Sequence, residues 1–193
     1  MGDTAESERK KYADLYADHP GYGRVGHATK LISELVTRAE RGATVGDFGC
    51  GRGATFPVLL QNGFRVVPID HVDAILPEYR TLPGIAPLHK VNLWEGDLPL
   101  VNYGICADVM EHVPPAFVDS TLDNIAVSIQ RGCLWTICHV QDVWGDRIGT
   151  RLHLTIQPEH WWTEKLENYW WNVIILRKQP GMTVYWTEHL SKT

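Results

Sequence analysis

Three observations predict an α/β fold built on a mostly parallel sheet. Between residues 43 and 138, short apolar runs alternate with amphipathic stretches, the order that yields parallel strands joined by right-handed crossovers. Between the first run and the first of those helices lies a glycine-rich corner, Val45 to Gly53, reading V-G-D-F-G-C-G-R-G. The last two runs are joined through Lys178, Gln179, Pro180 and Gly181, a link short enough to make only an antiparallel hairpin.

Each element has its own signal. Residues 5–18 are polar with Tyr12, Leu15 and Tyr16 at helical spacing, and a glycine-proline turn follows at 19–23. From His27 to Arg41, Ala28, Leu31, Ile32, Leu35, Val36 and Ala39 form the stripe of a helix laid on a sheet, with Gly42 as its stop. Strands are expected at 43–48, 64–69, 86–91 and 103–107, with helices at 54–62 and 72–80. After Pro114 and Pro115 a helix carries Val118, Leu122, Ile125 and Ile129, ended by Gly132. Cys133 to Cys138 is apolar almost throughout, as befits a strand covered on both sides. A helix near Pro158 bears Trp162, Leu166 and Tyr169, and strands at 171–177 and 182–189 close the chain. Pro68 fits poorly, because an inner strand would lose a ladder hydrogen bond there.

A chain of 193 residues, 44% hydrophobic and 21% charged, suits one soluble domain. Acids outnumber bases, 23 to 18, and no basic block exceeds Arg9, Lys10 and Lys11; long nucleic acid is a poor expected partner. Cys50, Cys106, Cys133 and Cys138 make no C-x-x-C pair and read as buried thiols of a cytoplasmic protein. With no charged-then-apolar opening and no run of 18 apolar residues in the sequence, neither secretion nor a membrane span is expected.

The corner points to a nucleoside. Gly49, Gly51 and Gly53 remove three Cβ atoms within five residues, so backbone can approach a ligand closely. Asp70 closes the next apolar run, where an acid can accept both hydroxyls of a ribose. Gly49, Gly51 and Ala54 also satisfy the dinucleotide pattern G-x-G-x-x-G/A. Against a dinucleotide, Asp47 precedes the glycines, where a diphosphate is repelled and an ammonium is held.

From Asp47 to Gly53 the rhythm D-x-G-x-G-x-G resembles the class I S-adenosylmethionine-dependent methyltransferases. A second segment, Asp108 to Pro114, reads D-V-M-E-H-V-P and resembles the D-V-L-E-H-V-P of the small-metabolite and quinone O-methyltransferase group. The resemblance covers roughly residues 43–140. It implies a Rossmann-like three-layer sandwich with a seven-stranded sheet of order 3-2-1-4-5-7-6, strand 7 antiparallel. It further implies one domain, with residues 1–42 a helical lid and 43–193 the catalytic core.

S-adenosyl-L-methionine is then the implied cofactor. Asp47, Gly49, Gly51 and Gly53 would hold its methionine part, Asp70 its ribose, Asn92 and Leu93 its adenine. Asp108 would lie beside the sulfonium. Asn92 stands where aspartate is usual, and it can still accept from the adenine amino group through its carbonyl oxygen. His112 is the candidate general base, with His139 a rival. Tyr22, Glu111 and Trp161 are the candidate substrate contacts, and Glu111 can also orient its segment through backbone contacts. Asp108, Glu111 and His112 share the acid-x-x-Glu-His spacing of some metal-dependent O-methyltransferases. With neither His139 nor His153 in a recognisable ligand motif, no metal is expected. The expected activity is methyl transfer to an O or N atom of a small acceptor. Competing readings are a nucleic-acid methyltransferase, a cofactor-binding subunit without turnover, and a nicotinamide oxidoreductase.

Overall fold

The structure, a computed structural model, describes residues 4–24 and 27–189. Its seven strands form one sheet of order β3-β2-β1-β4-β5-β7-β6. In chain order they are β1 (Thr44–Phe48), β2 (Arg65–Asp70), β3 (His89–Lys90), β4 (Val101–Ala107), β5 (Ile129–Cys138), β6 (Asn172–Gln179) and β7 (Met182–Glu188). The pairs among β1 to β5 are parallel, and β7 runs antiparallel to both β5 and β6. The helices are α1 (Ala5–Asp18), α2 (Ile32–Val36), α3 (Phe56–Gln61), α4 (Pro77–Arg80), α5 (Val118–Ser128), α6 (Val143–Ile148) and α7 (Glu159–Glu167). None is long and apolar enough to cross a membrane.

Alternation along the strands splits the core between the two faces of the sheet. Phe48, Ile69, Cys106, Trp135 and Tyr185 pack with Leu122 and Ile125 of α5 and Trp162 and Leu166 of α7. Val45, Val66, Ile105, Leu134 and Trp186 face the other way, against Ile32 and Leu35 of α2 and Phe56 and Leu59 of α3. This gives the three layers. A third, smaller cluster joins Tyr12 and Leu15 of α1 to Val72 and Leu152. Thr4 and Ser7 cap α1 reciprocally, each side chain accepting the other's amide at 3.1 and 2.8 Å.

Several elements are shorter than their apolar patterns predict, for local reasons. The helix expected over 27–41 is a 3₁₀ turn (His27–Lys30) followed by five residues of α2. The Thr37 hydroxyl and Arg38 guanidinium both donate to the Glu34 carbonyl, drawing away an acceptor the helix would need. Of the helix expected over 72–80 only Pro77–Arg80 forms, because Leu76 before the proline is held extended, ψ 139°. Strand β3 has two residues instead of six. Pro68 explains part of this: Val66 and Asp70 bond to the chain segment leading through β3, by Val66 N to Gly84 O and Val91 N to Asp70 O. Pro68, between them on the same side, brings no donor, and the ladder lapses from the bridge at Ile85 to His89.

Two boundaries move the other way. Strand β5 begins at Ile129, which the helical stripe had claimed, and Gly132 is a strand residue rather than a helix stop. A Cβ at Gly132 would lie 2.6 Å from the Trp186 ring, so β7 crosses where no side chain fits. Helix α6 has no apolar stripe to announce it; Asp142 caps its Trp144 and Gly145 amides and Gly149 ends it at φ +67°. The final turn, Pro180-Gly181, has Gly181 at φ +79°, as a type II turn requires.

Candidate active site

The sheet order reverses between β1 and β4, and at the carboxyl ends of β1 to β4 α1 and its following turn roof a cavity. Counting the solvent in its open mouth, the cavity spans about 610 Å³.

The glycine corner forms one wall. The Gly49 amide donates to Ile69 O at 2.8 Å, tying the corner to β2, and the Gly53 amide closes the turn on Cys50 O at 2.9 Å. Gly49 has φ +74°, and a Cβ there would come within 2.5 Å of Val109 in the turn after β4; backbone conformation and neighbour both demand glycine. At Gly51 a Cβ would meet the Tyr16 hydroxyl at 2.7 Å. Asp70, 6% exposed, lines the cavity with its carboxylate accepting the Gly51 amide through Oδ2 and the Val72 amide through Oδ1, both at 2.9 Å. Burial raises its pKa against the opposing pull of His71 and these amides.

Asp47 lies beneath the loop and does not line the cavity. Its carboxylate accepts the Thr55 hydroxyl, and burial, with the Asp70 charge adding to it, pushes its pKa up to about 7. An acid so placed takes up negative charge when a cation comes within reach.

Arg52 clamps the roof to the loop. Its guanidinium donates to the Tyr22 carbonyl at 2.6 Å, Tyr16 at 2.8 Å and His19 at 3.3 Å, and lies 5.2 Å from the Tyr16 ring centroid. Tyr16 and Tyr22 both line the cavity, with Tyr22 edge-on to Trp144 of α6. Burial, with Asp142, Glu111 and Asp108 nearby, raises the Tyr22 pKa, so its hydroxyl stays protonated. Replacing Arg52 by Ala removes three charged hydrogen bonds at once. At about 1.5–3 kcal/mol for each charged hydrogen bond, Arg52→Ala is expected to free the N-terminal segment. Limited proteolysis should cut between residues 5 and 24 at least tenfold faster while the sheet domain stays resistant.

The opposite rim comes from the ends of β3 and β4. Asn92 and Leu93 line the cavity, beside Trp94, whose ring stacks parallel on Phe117 at 5.2 Å. Asn92 Oδ1 accepts the Trp94 amide at 3.3 Å, while Nδ2 is buried with no hydrogen-bond partner among the described residues. The side chain therefore offers a donor, where an acceptor was expected. Asp108 is the one non-glycine residue at positive φ among the described residues, +55°. Its amide donates to Thr136 O, and the Thr136 hydroxyl donates to its Oδ1 at 2.7 Å. Such backbone costs about 1–3 kcal/mol and concentrates at functional positions.

His112 sits on the cavity wall, held by α1. Its Nδ1 lies 2.7 Å from the Tyr12 hydroxyl and 3.1 Å from the Leu152 carbonyl. A carbonyl can only accept, so Nδ1 carries the hydrogen and Nε2 keeps its lone pair. Burial, with repulsion from His153, lowers the His112 pKa to about 3; the ring is neutral at any working pH.

Of the expected cofactor contacts, Gly51 and Gly53, like Asp47, do not line the cavity, and the expected contacts Glu111, His139 and Trp161 lie elsewhere. Glu111 is fully buried behind the cavity wall; its carboxylate accepts the Cys138 amide and its carbonyl those of Leu154 and Thr155. His139 has both ring nitrogens engaged, Nδ1 with the Gln157 carbonyl and Nε2 with the Thr183 hydroxyl, away from the cavity. Trp161 packs on the α5–α7 side of the core, edge-on to Trp162 and under Lys165. Its offset from the α7 stripe put it at the helix border, not in the cavity. Tyr12, Glu8, His71 and Trp94 do line the cavity. Tyr12 and Trp94 sat in segments already singled out, while nothing in the sequence marked Glu8 or His71.

No protein-family model matches the sequence, and no curated protein matches it. Among solved structures, a Burkholderia thailandensis 1,6-didemethyltoxoflavin-N1-methyltransferase, with 1,6-didemethyltoxoflavin and S-adenosylhomocysteine bound, is similar with a TM-score of 0.74 and 17% identity. That match covers 98% of this chain and 92% of the other. Magnesium protoporphyrin IX methyltransferase of Synechocystis PCC 6803, with S-adenosylhomocysteine bound, matches at TM-score 0.69 and 14% identity, over 94% of this chain and 99% of the other. The N-methyltransferase NodS of Bradyrhizobium japonicum WM9 matches at 0.62 and 12%, over 83% and 93%. The fold is thus the Rossmann-like one these methyltransferases share.

Proposed function

We propose that this chain is an S-adenosylmethionine-dependent methyltransferase acting on an O or N atom of a small molecule. The observation that carries the reading is Asp70, a buried carboxylate at the tip of β2, lining the cavity and bonded to the amide of Gly51, where a Cβ would meet the Tyr16 hydroxyl. The fold neighbours named as methyltransferases of 1,6-didemethyltoxoflavin and magnesium protoporphyrin IX support the same reading.

The residues present fit the donor. Asp70 would accept the ribose hydroxyls with the lone pairs its two amide donors leave free. Asn92 Nδ2, a buried donor without a partner, would reach a ring nitrogen of the adenine, with Leu93 and Trp94 against its faces. Asp47 would supply charge for the methionine ammonium. A diphosphate would meet Asp47 and Asp70 with repulsion. When bound, the donor supplies a methyl carbon that an acceptor lone pair attacks in line, the C–S pair passing to sulfur. Holding the reactants aligned is worth roughly 7–11 kcal/mol, and the roof of Tyr12, Tyr16 and Tyr22 performs that alignment and keeps water out.

The acceptor's proton would pass to Nε2 of His112. A ring with a pKa near 3 is a weak base, so the fitting acceptors are already acidic: phenols, enols and aromatic ring N–H groups. Incubating the protein with methyl-tritiated donor and such acceptors should give labelled product and S-adenosylhomocysteine. Label confined to RNA or DNA would overturn the small-molecule reading.

The raised Asp47 pKa sets the pH dependence of donor binding. Below about pH 7 the empty protein holds Asp47 protonated, and an ammonium ligand must expel that proton. Affinity for S-adenosylhomocysteine is therefore expected to be level above pH 7 and to weaken by up to about tenfold per unit below it. Calorimetry in buffers of different ionisation heat should register up to one proton released near pH 6. Asp47→Asn is expected to remove the pH dependence.

A further inference from the structure

Behind the cavity wall, three donors of different chemistry meet. Glu111 lies in the turn after β4, Cys138 is the last residue of β5, and His153 stands between α6 and α7. One donor atom from each lies within 4.8 Å of the other two, and none of the three lines the cavity. Glu111 is fully buried. Its Oε1 accepts the Cys138 amide at 3.1 Å, and Oε2 has no hydrogen-bond partner among the described residues. A buried carboxylate oxygen in that condition is costly unless protonated or bound to a cation. His153 places Nδ1 2.5 Å from the Val140 carbonyl. The carbonyl accepts, so Nδ1 carries the hydrogen and the ring's lone pair stays on Nε2, the tautomer that a hydrogen bond to a carbonyl sets in metal-binding imidazoles.

We propose that Glu111, Cys138 and His153 form a site for one zinc ion, a positioning site behind the cavity. A carboxylate, an imidazole and a thiolate suit zinc, whereas magnesium and manganese take oxygen-rich sets. Three protein donors leave a fourth position for water. Donors at zinc distances stand about 3.3–3.8 Å apart, so the trio contracts by about 1 Å to bind. On binding, the thiol proton, and that of Glu111 if present, passes to solvent as the Zn–S and Zn–O bonds form. The segments are already tied without metal, by Leu154 N and Thr155 N on the Glu111 carbonyl at 2.8 and 3.0 Å. His112 packs edge-on against His153 with ring centroids 4.7 Å apart, so an ion on His153 fixes the ring that backs His112. The trio differs from the Asp108, Glu111 and His112 set suggested by spacing, because Cys138 and His153 meet Glu111 only through the fold.

The test uses the full chain, stripped with a chelator, dialysed and titrated with cobalt(II), then zinc, with bound metal measured by mass spectrometry. The expected result is one cobalt per chain with a thiolate-to-cobalt charge-transfer band, bleached by one equivalent of zinc. Cys138→Ser should lose the band and weaken zinc binding at least about 100-fold, while Cys133→Ala keeps both; loss of a direct ligand costs no less than the 10–100-fold of an outer-shell change. His153→Gln should weaken zinc likewise. A wild-type protein that takes up no stoichiometric cobalt or zinc, or a band that persists in Cys138→Ser, overturns the proposal. The wild-type titration decides even if a variant fails to fold. It uses no methyl donor, so its failure leaves the methyltransferase reading standing.

Discussion

Asp70→Ala is expected to abolish binding of S-adenosylhomocysteine while most of the fold survives. Two ribose hydroxyls on one carboxylate are worth about 1.5–3 kcal/mol each, so their joint loss corresponds to roughly 10²–10⁴-fold in Kd. Alanine also strands the Gly51 and Val72 amides now held at 2.9 Å, which lowers the melting temperature. Asp70→Asn separates the two effects: it keeps an acceptor oxygen for one amide and removes the charge. Calorimetry paired with thermal melting should show Asn closer to wild type in stability than in affinity. Wild-type affinity in Asp70→Ala would remove the ribose role.

The second large effect belongs to turnover. His112→Ala should lower kcat by about 10²-fold or more and leave affinity for S-adenosylhomocysteine within a few-fold, because on the proposed reading Nε2 would take the acceptor's proton and not hold the donor. The pH profile distinguishes this role from an ordinary histidine's. With burial and His153 holding its pKa near 3, His112 is unprotonated throughout pH 5–9. The wild-type kcat should therefore show no histidine limb near pH 6.5. Tyr12→Phe, which removes the hydroxyl on Nδ1 at 2.7 Å, should cost less than His112→Ala, since the Leu152 carbonyl still fixes the tautomer. Unchanged single-turnover rates in His112→Ala would make the ring a packing residue.

The sheet was legible because its determinants are local. Strand runs, crossover helices and the Pro180-Gly181 turn each announce themselves within a few residues, and the Asp47 to Gly53 and Asp108 to Pro114 segments mark two edges of one cavity. What escaped was set by competition. Pro77 and Thr37 cut short helices whose apolar stripes were otherwise sound, and Pro68 withdrew the donor that a longer β3 required. The roof's contacts were hidden for another reason. Tyr12 meets His112 a hundred positions away, and Arg52, one of the unspecified letters of the glycine pattern, clamps Tyr16 and Tyr22. Cys138, expected as a buried thiol but half-buried in the structure, joins Glu111 and His153 only once β5 and the segment after α6 converge.

What the β1–α3 corner and Asp70 hold decides between a sulfonium donor and a dinucleotide. Calorimetric titration of the purified protein with S-adenosylhomocysteine and, separately, with NADH should give one site per chain for the first and no heat for the second. Saturable binding of NADH with none of S-adenosylhomocysteine would contradict the sulfonium donor.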